Sequence, residues 1–311
     1  MATIKGPLLL LVTALLWGFA FVAQTTASSN VEPFTFNTSR NLIGVLVLLL
    51  VIKQRKRTGT DAAPSARDDA PDSPGYSKRT MLIAGISCGV ALCAASYLQQ
   101  LGITSYPDEA AASGRAGFVT ATYMVMVAVI MAFRGKAAHP VVLISVGLAL
   151  LGLYLLCTPN GIQNVYLGDL LVLASALGYA IHIVVIDRFT QVDGVRLSCM
   201  QLLVSCIIST VCALVFEHPQ ISSILAALMP ILYAGICSDG IAYTLQIIAQ
   251  KTTDATVASI IMSLESVFAA LGGWMLLGEM LAPLEILGCC LVFAAVILSQ
   301  VPTFSSSGQK D

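Results

Sequence analysis

Along the chain, apolar residues come in long unbroken runs, not in the stripes that recur every three or four positions on an amphipathic helix. Ten runs reach the roughly 20 residues that an α-helix needs to cross the hydrocarbon core of a bilayer. They occupy residues 7–27, 33–52, 80–102, 109–133, 139–157, 166–187, 196–216, 225–249, 254–277 and 283–301. Short polar stretches separate them, such as Ser28 to Glu32, Glu217 to Ser223 and Lys251 to Asp254. The pattern predicts an all-α integral membrane protein of ten transmembrane helices. So little chain lies outside the runs that no extramembrane domain can form, and any chemistry must sit between helices. The one long connection, residues 53–79, is rich in Pro, Asp, Ala and Ser. It is too polar to bury a core and is expected to be a disordered linker. The first run opens with Lys5 and is followed by small residues around Ala23 to Ser29, as a secretory signal would be. It is read as a retained helix because its apolar part, Pro7 to Val22, reaches the upper length for such a signal and its Trp17-Gly18 is unusual for one.

Composition agrees and sharpens the class. Of 311 residues, 57% are hydrophobic and 11% are charged, less than half the roughly 25% charged share of a soluble domain. The net charge of −1 gives no field that would attract nucleic acid. The placement of the charges is more informative. With the N-terminus inside, the inner connections and tails carry 14 Lys and Arg residues, from Lys5 through the cluster Lys53 to Arg57 to Lys251 and Lys310, and the outer connections carry none. By the positive-inside bias both termini are cytoplasmic, in a multi-pass protein of the cell membrane. The two remaining basic residues, Arg40 and Arg115, lie inside helices.

Several chemistries have no support. The nine cysteines all fall in or at the ends of predicted helices without a Cys-x-x-Cys, and His139, His182 and His218 sit on three separate segments without metal-ligand spacing. No phosphate-binding glycine loop, Gly-x-Ser-x-Gly or His-Glu-x-x-His occurs. No cofactor or metal is expected, and no enzyme activity. The nearest approach to a catalytic pair is His182 with Asp187, five positions apart and poorly placed to share a helix face.

The two halves of the chain resemble each other. Ala116 to Val125 lies over Ala258 to Val267 at an offset of 142, Pro140 over Pro283 at 143, and Tyr97 and Gln100 over Tyr243 and Gln246 at 146. Helix four then corresponds to nine and five to ten, giving a first repeat over residues 1–157, a second over 158–301 and a short tail, 302–311. Five crossings per repeat is an odd number, so the second copy is predicted to be inverted in the membrane, a geometry that transporters use.

At these positions the sequence resembles the ten-helix exporters of the drug/metabolite transporter superfamily, whose repeat is the EamA domain. The resemblance rests on Leu15-Leu16-Trp17-Gly18-Phe19, on Arg40 entering helix two, and on Ala112-Ser113-Gly114-Arg115-Ala116-Gly117-Phe118. Gly168-Asp169-Leu170-Leu171 and Ser263-Leu264-Glu265-Ser266-Val267-Phe268-Ala269-Ala270, followed by Trp274 and Gly278-Glu279, complete it. Where the family usually has proline this chain has Met124 and Ser266, two departures that bear on an inherited helix kink. The resemblance implies a basket of helices around a central cavity, lined mainly by helices 1, 3, 4, 6, 8 and 9, that exports small organic metabolites or drugs.

The residues themselves point into the same helices. Ionisable groups at membrane depth face a cavity or each other and are functional candidates. Arg40, Arg115, Asp239 and Glu265 are such groups. Pairs such as Arg115 with Asp239 would lock helices, and Glu265, near the middle of its helix, is the candidate for coupling to protons. Polar and aromatic residues complete the expected substrate site: Trp17 and Gln24 in helix one, Tyr97, Gln99 and Gln100 in helix three, Tyr123 in helix four, Tyr179 and His182 in helix six, Tyr243 and Gln246 in helix eight. Tyr166 and Tyr233, near helix ends, are expected to anchor at the membrane interface. Gly85-x-x-x-Gly89 is expected to serve close helix packing. The predicted partners are a small-molecule substrate, the lipid bilayer and, for coupling, protons. The reading that follows is a secondary transporter working by alternating access; an intramembrane enzyme or a non-transporting receptor or assembly subunit is the alternative.

Overall fold

The computed structural model describes residues 2–58, 76–107, 112–136, 139–157, 166–278 and 283–299. Every regular element among these is helical. Ten helices run in chain order as α1 (Ala2–Ser28), α2 (Pro33–Arg57), α3 (Lys78–Thr104), α4 (Ala112–Phe133), α5 (Pro140–Cys157), α6 (Leu167–Arg188), α7 (Gly194–Phe216), α8 (Leu228–Ala249), α9 (Ala255–Leu277) and α10 (Pro283–Ser299). A short helix, Ile221–Ala226, precedes α8. Eight of the ten are long and apolar enough to cross a membrane, and α5 and α10 are shorter apolar helices within the described residues. Leu, Ile, Val and Phe side chains stay exposed along the outer faces, among them Leu50, Leu214, Phe216 and Met229. A surface of that kind suits lipid and not water.

The predicted linker is shorter than the sequence suggested. Lys53 to Arg57 continue α2 as a helix, since nothing in that stretch breaks one. The rest of the linker, residues 59–75, and the tail, 302–311, lie outside the described residues.

Packing follows a rule of five. α2 packs on α7 and α5 on α10; α3 packs on α6 as α8 does on α1; α4 packs on α6 as α9 does on α1; α3 packs on α7 as α8 does on α2. Adding five to any helix of a major pair gives its counterpart. Glycines permit the closest approaches. A Cβ on Gly18 would stand 2.3 Å from the Phe268 Cβ, so α1 and α9 touch backbone to backbone there. Gly85 and Gly89 admit Met200 and Val204 of α7 in the same way, as the small-residue spacing predicted.

Polar clasps hold the helix ends. At the basic end, the Asp193 carboxylate caps α7 by accepting from Arg196 N at 3.0 Å and receives Arg55 of α2 at 3.1 and 3.2 Å. Lys136 Nζ reaches Asp187 Oδ2 at 2.9 Å, and Lys251 Nζ donates to the Val192 carbonyl. Burial lowers the Lys251 pKa, with Asp193 opposing the shift and Arg55 adding to it. At the opposite end Glu217 accepts from Phe34 N, Thr35 N and Thr35 Oγ1, each at 2.7 Å. That carboxylate serves the free N–H groups at the start of α2. Glu32 returns the contact by accepting from His218 N at 3.1 Å.

Three helices depart from regular α geometry near the middle of the bundle. α4 breaks at Thr122 between Ala112–Ala121 and Tyr123–Phe133, and α9 breaks at Ser263 and Leu264 between Ala255–Met262 and Glu265–Gly272. These breaks fall at equivalent positions of the two repeats. Neither contains a proline. Instead the turn tightens: Thr122 N bonds Val119 O and Val125 N bonds Thr122 O, while Leu264 N bonds Ile261 O and Ser266 N bonds Ser263 O. Hydroxyls secure the tightened carbonyls, with Thr122 donating to Val119 O at 2.6 Å and Ser263 and Ser266 to Ile260 O and Ser263 O at 2.7 Å. Such back-bonding bends helices. α8 carries a π-helical stretch, Ala234–Ala242, a feature often found at functional sites.

Candidate functional site

These irregular segments meet around one narrow cavity lined by polar and aromatic side chains. Periodicity explains which side chains reach it. From α1, Trp17, Ala20, Phe21 and Gln24 share one face at helical spacing. Tyr179, His182 and Ile183 do the same from α6, Thr120 and Tyr123 from α4 across the Thr122 break, and Ser238, Tyr243 and Gln246 from α8. Arg40 of α2, Gln99 of α3 and Glu265 of α9 complete the wall. Among the described residues, none of the lining comes from α5, α7 or α10.

Ten of the expected substrate-site residues therefore come together: Trp17, Gln24, Arg40, Gln99, Tyr123, Tyr179, His182, Tyr243, Gln246 and Glu265. Four do not line the cavity. Tyr97 stacks face to face on Phe34, ring centroids 3.8 Å apart, on another side of α3. Gln100 lies behind Gln24 and donates its Nε2 to the Gln24 carbonyl at 3.2 Å. Asp239 sits behind Arg40, and Arg115 stands at the end of the bundle opposite the basic one.

The expected Arg115–Asp239 pair is replaced by two other pairs. Arg40 Nε donates to both Asp239 oxygens at 3.0 and 3.1 Å, its Nη2 also reaches Asp239, and Nη2 donates to Ser238 Oγ at 3.0 Å. Both partners are buried. Arg115 instead meets Asp169 at the start of α6, Nε to Oδ1 at 2.6 Å and Nη2 to Oδ2 at 2.7 Å, with its guanidinium over the Tyr166 ring at 4.7 Å. The physical reason is depth: Arg115 and Asp169 each lie within the first turn of their helices, whereas Asp239 lies deep in α8 opposite Arg40. The sequence signal was available in Gly168-Asp169, which entered the sequence reading only as part of the family resemblance. Tyr166 is thus tied into this cluster, and Tyr233 donates to the Leu16 carbonyl of α1 at 3.1 Å, so both make helix contacts where interface anchoring was expected.

A polar chain crosses the cavity wall: Tyr179 OH donates to Gln99 Oε1 at 3.1 Å and Gln99 Nε2 to Thr120 Oγ1 at 3.0 Å, linking α6, α3 and α4. Aromatic rings line the other side. Trp17 and Tyr243 have centroids 4.9 Å apart, and His182 meets Tyr243 edge-on at 5.8 Å. His182 Nε2 pairs with Gln201 Oε1 at 2.9 Å while Asp187 pairs with Lys136, so these two residues, the nearest approach to a catalytic pair in the sequence, face different partners. Among the described residues no three His, Cys, Asp or Glu side chains are grouped to hold a metal ion.

Several lining groups keep an unmet hydrogen-bonding capacity. Trp17 Nε1, Gln24 Oε1 and both amide atoms of Gln246 are buried without a hydrogen-bond partner, and Tyr123 OH and Glu265 Oε1, whose side chains lie beside each other, make no bond of normal geometry. Tyr123 and Glu265 are equivalents at the repeat offset of 142, and each stands just after the break in its helix. Sequence reading did not single out Thr120, Phe21 or Ser238. Each lies three or four residues from a predicted lining residue or beside one, which is the signal that would have found it.

Similarity to known proteins agrees with this geometry. The EamA-like transporter family matches twice, over residues 4–158 and 166–300. An uncharacterized transporter of Archaeoglobus fulgidus is 28% identical over 291 residues, covering 93% of this chain and 83% of its own length. The uncharacterized transporter YoaV of Bacillus subtilis is 23% identical over 314 residues, covering 99% of both chains. A protein crystal structure superposes with a TM-score of 0.74 at 18% identity, covering 96% of this chain and 98% of its own, which establishes the fold. With two family matches that span nearly the whole chain and a polar cavity at their junction, the protein is a multi-pass membrane transporter belonging to the EamA-like family.

Proposed function

We propose that this transporter exports small organic solutes by alternating access, binding them in the cavity between its two repeats. The observation that carries the reading is the set of unpartnered polar groups on Trp17, Gln24, Tyr123, Gln246 and Glu265 that converge on one aromatic-lined space. A buried polar group without a partner costs about 1–3 kcal/mol, and five of them around one cavity are best explained by a solute that satisfies them.

The repeat relation supports the mechanism. Five helices per copy invert the second repeat, so exchanging the two conformations opens the same site to the other side. Equivalent residues already stand in different surroundings: Tyr243 and Gln246 line the cavity, whereas Tyr97 stacks on Phe34 and Gln100 bonds helix α1. That inequality is what a one-sided state of an inverted repeat predicts. Glu265, mid-helix and without an ion-pair partner among the described residues, is the group suited to carry the coupling proton. The 14 basic residues of the connections assigned to the inner side support a cell-membrane protein with both termini in the cytoplasm.

The test is flux. Purified protein in liposomes, offered a panel of radiolabelled metabolites and drugs, is expected to move at least one faster than protein-free vesicles do. Absence of flux for every compound would count against transport through this cavity. Dependence of that flux on an imposed proton gradient, lost in Glu265→Gln, reads the coupling.

A further inference from the structure

Resting on that transport reading, we infer that the cavity's solute is an organic monocation: an amine or quaternary ammonium group joined to a flat apolar body, with its charge met by Glu265.

The argument is one of charge and surface. Three lining side chains are ordinary bearers of charge, and two are already engaged. Arg40 is held by both oxygens of Asp239 and by Ser238, so an incoming anion would have to displace a buried carboxylate. The His182 Nε2 is taken by Gln201. Glu265 makes no ion pair among the described residues, and its Oε1 has no partner. Ionised, it leaves the cavity with one uncompensated negative charge at membrane depth. Such a charge favours an opposite one brought by the ligand.

The remaining wall suits a cation with an aromatic or apolar body. Trp17, Tyr123, Tyr179 and Tyr243 put four rings around the same space as the carboxylate. Ring faces attract ammonium and guanidinium groups as well as flat apolar ones. The unmet acceptors Gln24 Oε1 and Gln246 Oε1 can receive N–H groups from a protonated amine. A neutral solute would suit Glu265 only while it holds a proton, whereas a cation answers the ionised carboxylate. A zwitterion would need a second cationic contact, and Arg40, the lining residue able to give one, is engaged.

The experiment uses the full-length protein in nanodiscs at fixed pH, with radiolabelled benzyltrimethylammonium, whose charge cannot titrate, and benzenesulfonate, a similar ring with the opposite charge. Saturable binding of the cation and none of the anion is expected, with the cation weakened about tenfold or more in Glu265→Gln and in Trp17→Leu. Unchanged cation binding in Glu265→Gln overturns the inference, as does preference for the sulfonate. The wild-type comparison of the two probes keeps the test decisive if a variant fails to fold. In liposomes, flux of anions or zwitterions without flux of cations overturns the monocation assignment and leaves transport standing, whereas no flux of any solute overturns the transport reading itself.

Discussion

At the level of single residues, the buried Arg40–Asp239 pair and the unpartnered Glu265 behave oppositely. Arg40 and Asp239 are buried and hydrogen-bonded to each other, so removing one leaves a charge with no solvent and no counter-ion. Asp239→Asn is expected to lower the unfolding free energy by roughly 3–5 kcal/mol, read as a lowered melting temperature in detergent. Arg40→Met combined with Asp239→Leu should recover most of that loss; a double variant as unstable as the single one would show that the pair does more than neutralise itself. Glu265→Gln keeps the volume and removes a charge that nothing in the protein answers. It should leave the melting temperature unchanged or raised while abolishing proton-dependent flux. Gly18 belongs at this scale too. A Cβ there would meet Phe268 Cβ at 2.3 Å and the backbone of Ala269 and Glu265 at 2.9 Å. Gly18→Ala should therefore cost about 1–3 kcal/mol by forcing α1 off α9, and flux should fall with it because α9 carries Glu265.

Among the elements, the broken helices α4 and α9 deliver Tyr123 and Glu265 to the cavity by the same device in each repeat: an i-to-i−3 turn held by hydroxyls. Ser263→Ala with Ser266→Ala removes two of these bonds. The double variant is expected to fold, to relax α9 toward a continuous helix and to lose solute affinity; unchanged affinity would show that backbone packing alone sets the break. Ser266 is the second residue of the helix that starts at Glu265, where a missing N–H matters little. Ser266→Pro should accordingly cost about one hydrogen bond, ~1 kcal/mol, and preserve flux. That position explains how one site accommodates either residue: proline omits the N–H, and serine turns it toward the i−3 carbonyl.

For the molecule as a whole, the matched packing of helices five apart and the clasps that join α2 to α7 at both ends describe two interlocked halves with one cavity at their junction. Orientation is the property to check here. A cysteine placed at Asn30 should react with a membrane-impermeant maleimide in intact cells above the level of the parent chain, and one placed at Lys53 only after the membrane is opened. The reverse pattern would overturn the cytoplasmic assignment of the termini.

Much of this was legible along the chain. Uninterrupted apolar runs determine membrane helices because a bilayer leaves no alternative for backbone N–H and C=O groups. The spacing of Trp17, Phe21 and Gln24, or of Tyr179 and His182, determines a shared face because an α-helix repeats every 3.6 residues. The offset of 142 that relates Tyr123 to Glu265 in the sequence also relates the two breaks found in the structure. Partnership between helices was not legible in this way. In sequence Arg40 and Arg115 stand at similar depths in their apolar runs, 33–52 and 109–133, and only the packed helices put Asp239 beside one and Asp169 beside the other. Tyr97 and Tyr243 are equivalent in the repeat, yet only Tyr243 reaches the cavity, because two halves of one chain fold into unequal surroundings. Periodicity acts within a helix and is fixed by local backbone geometry. Which polar group remains unpartnered depends on contacts between helices far apart in sequence, and those exist only once the helices have packed.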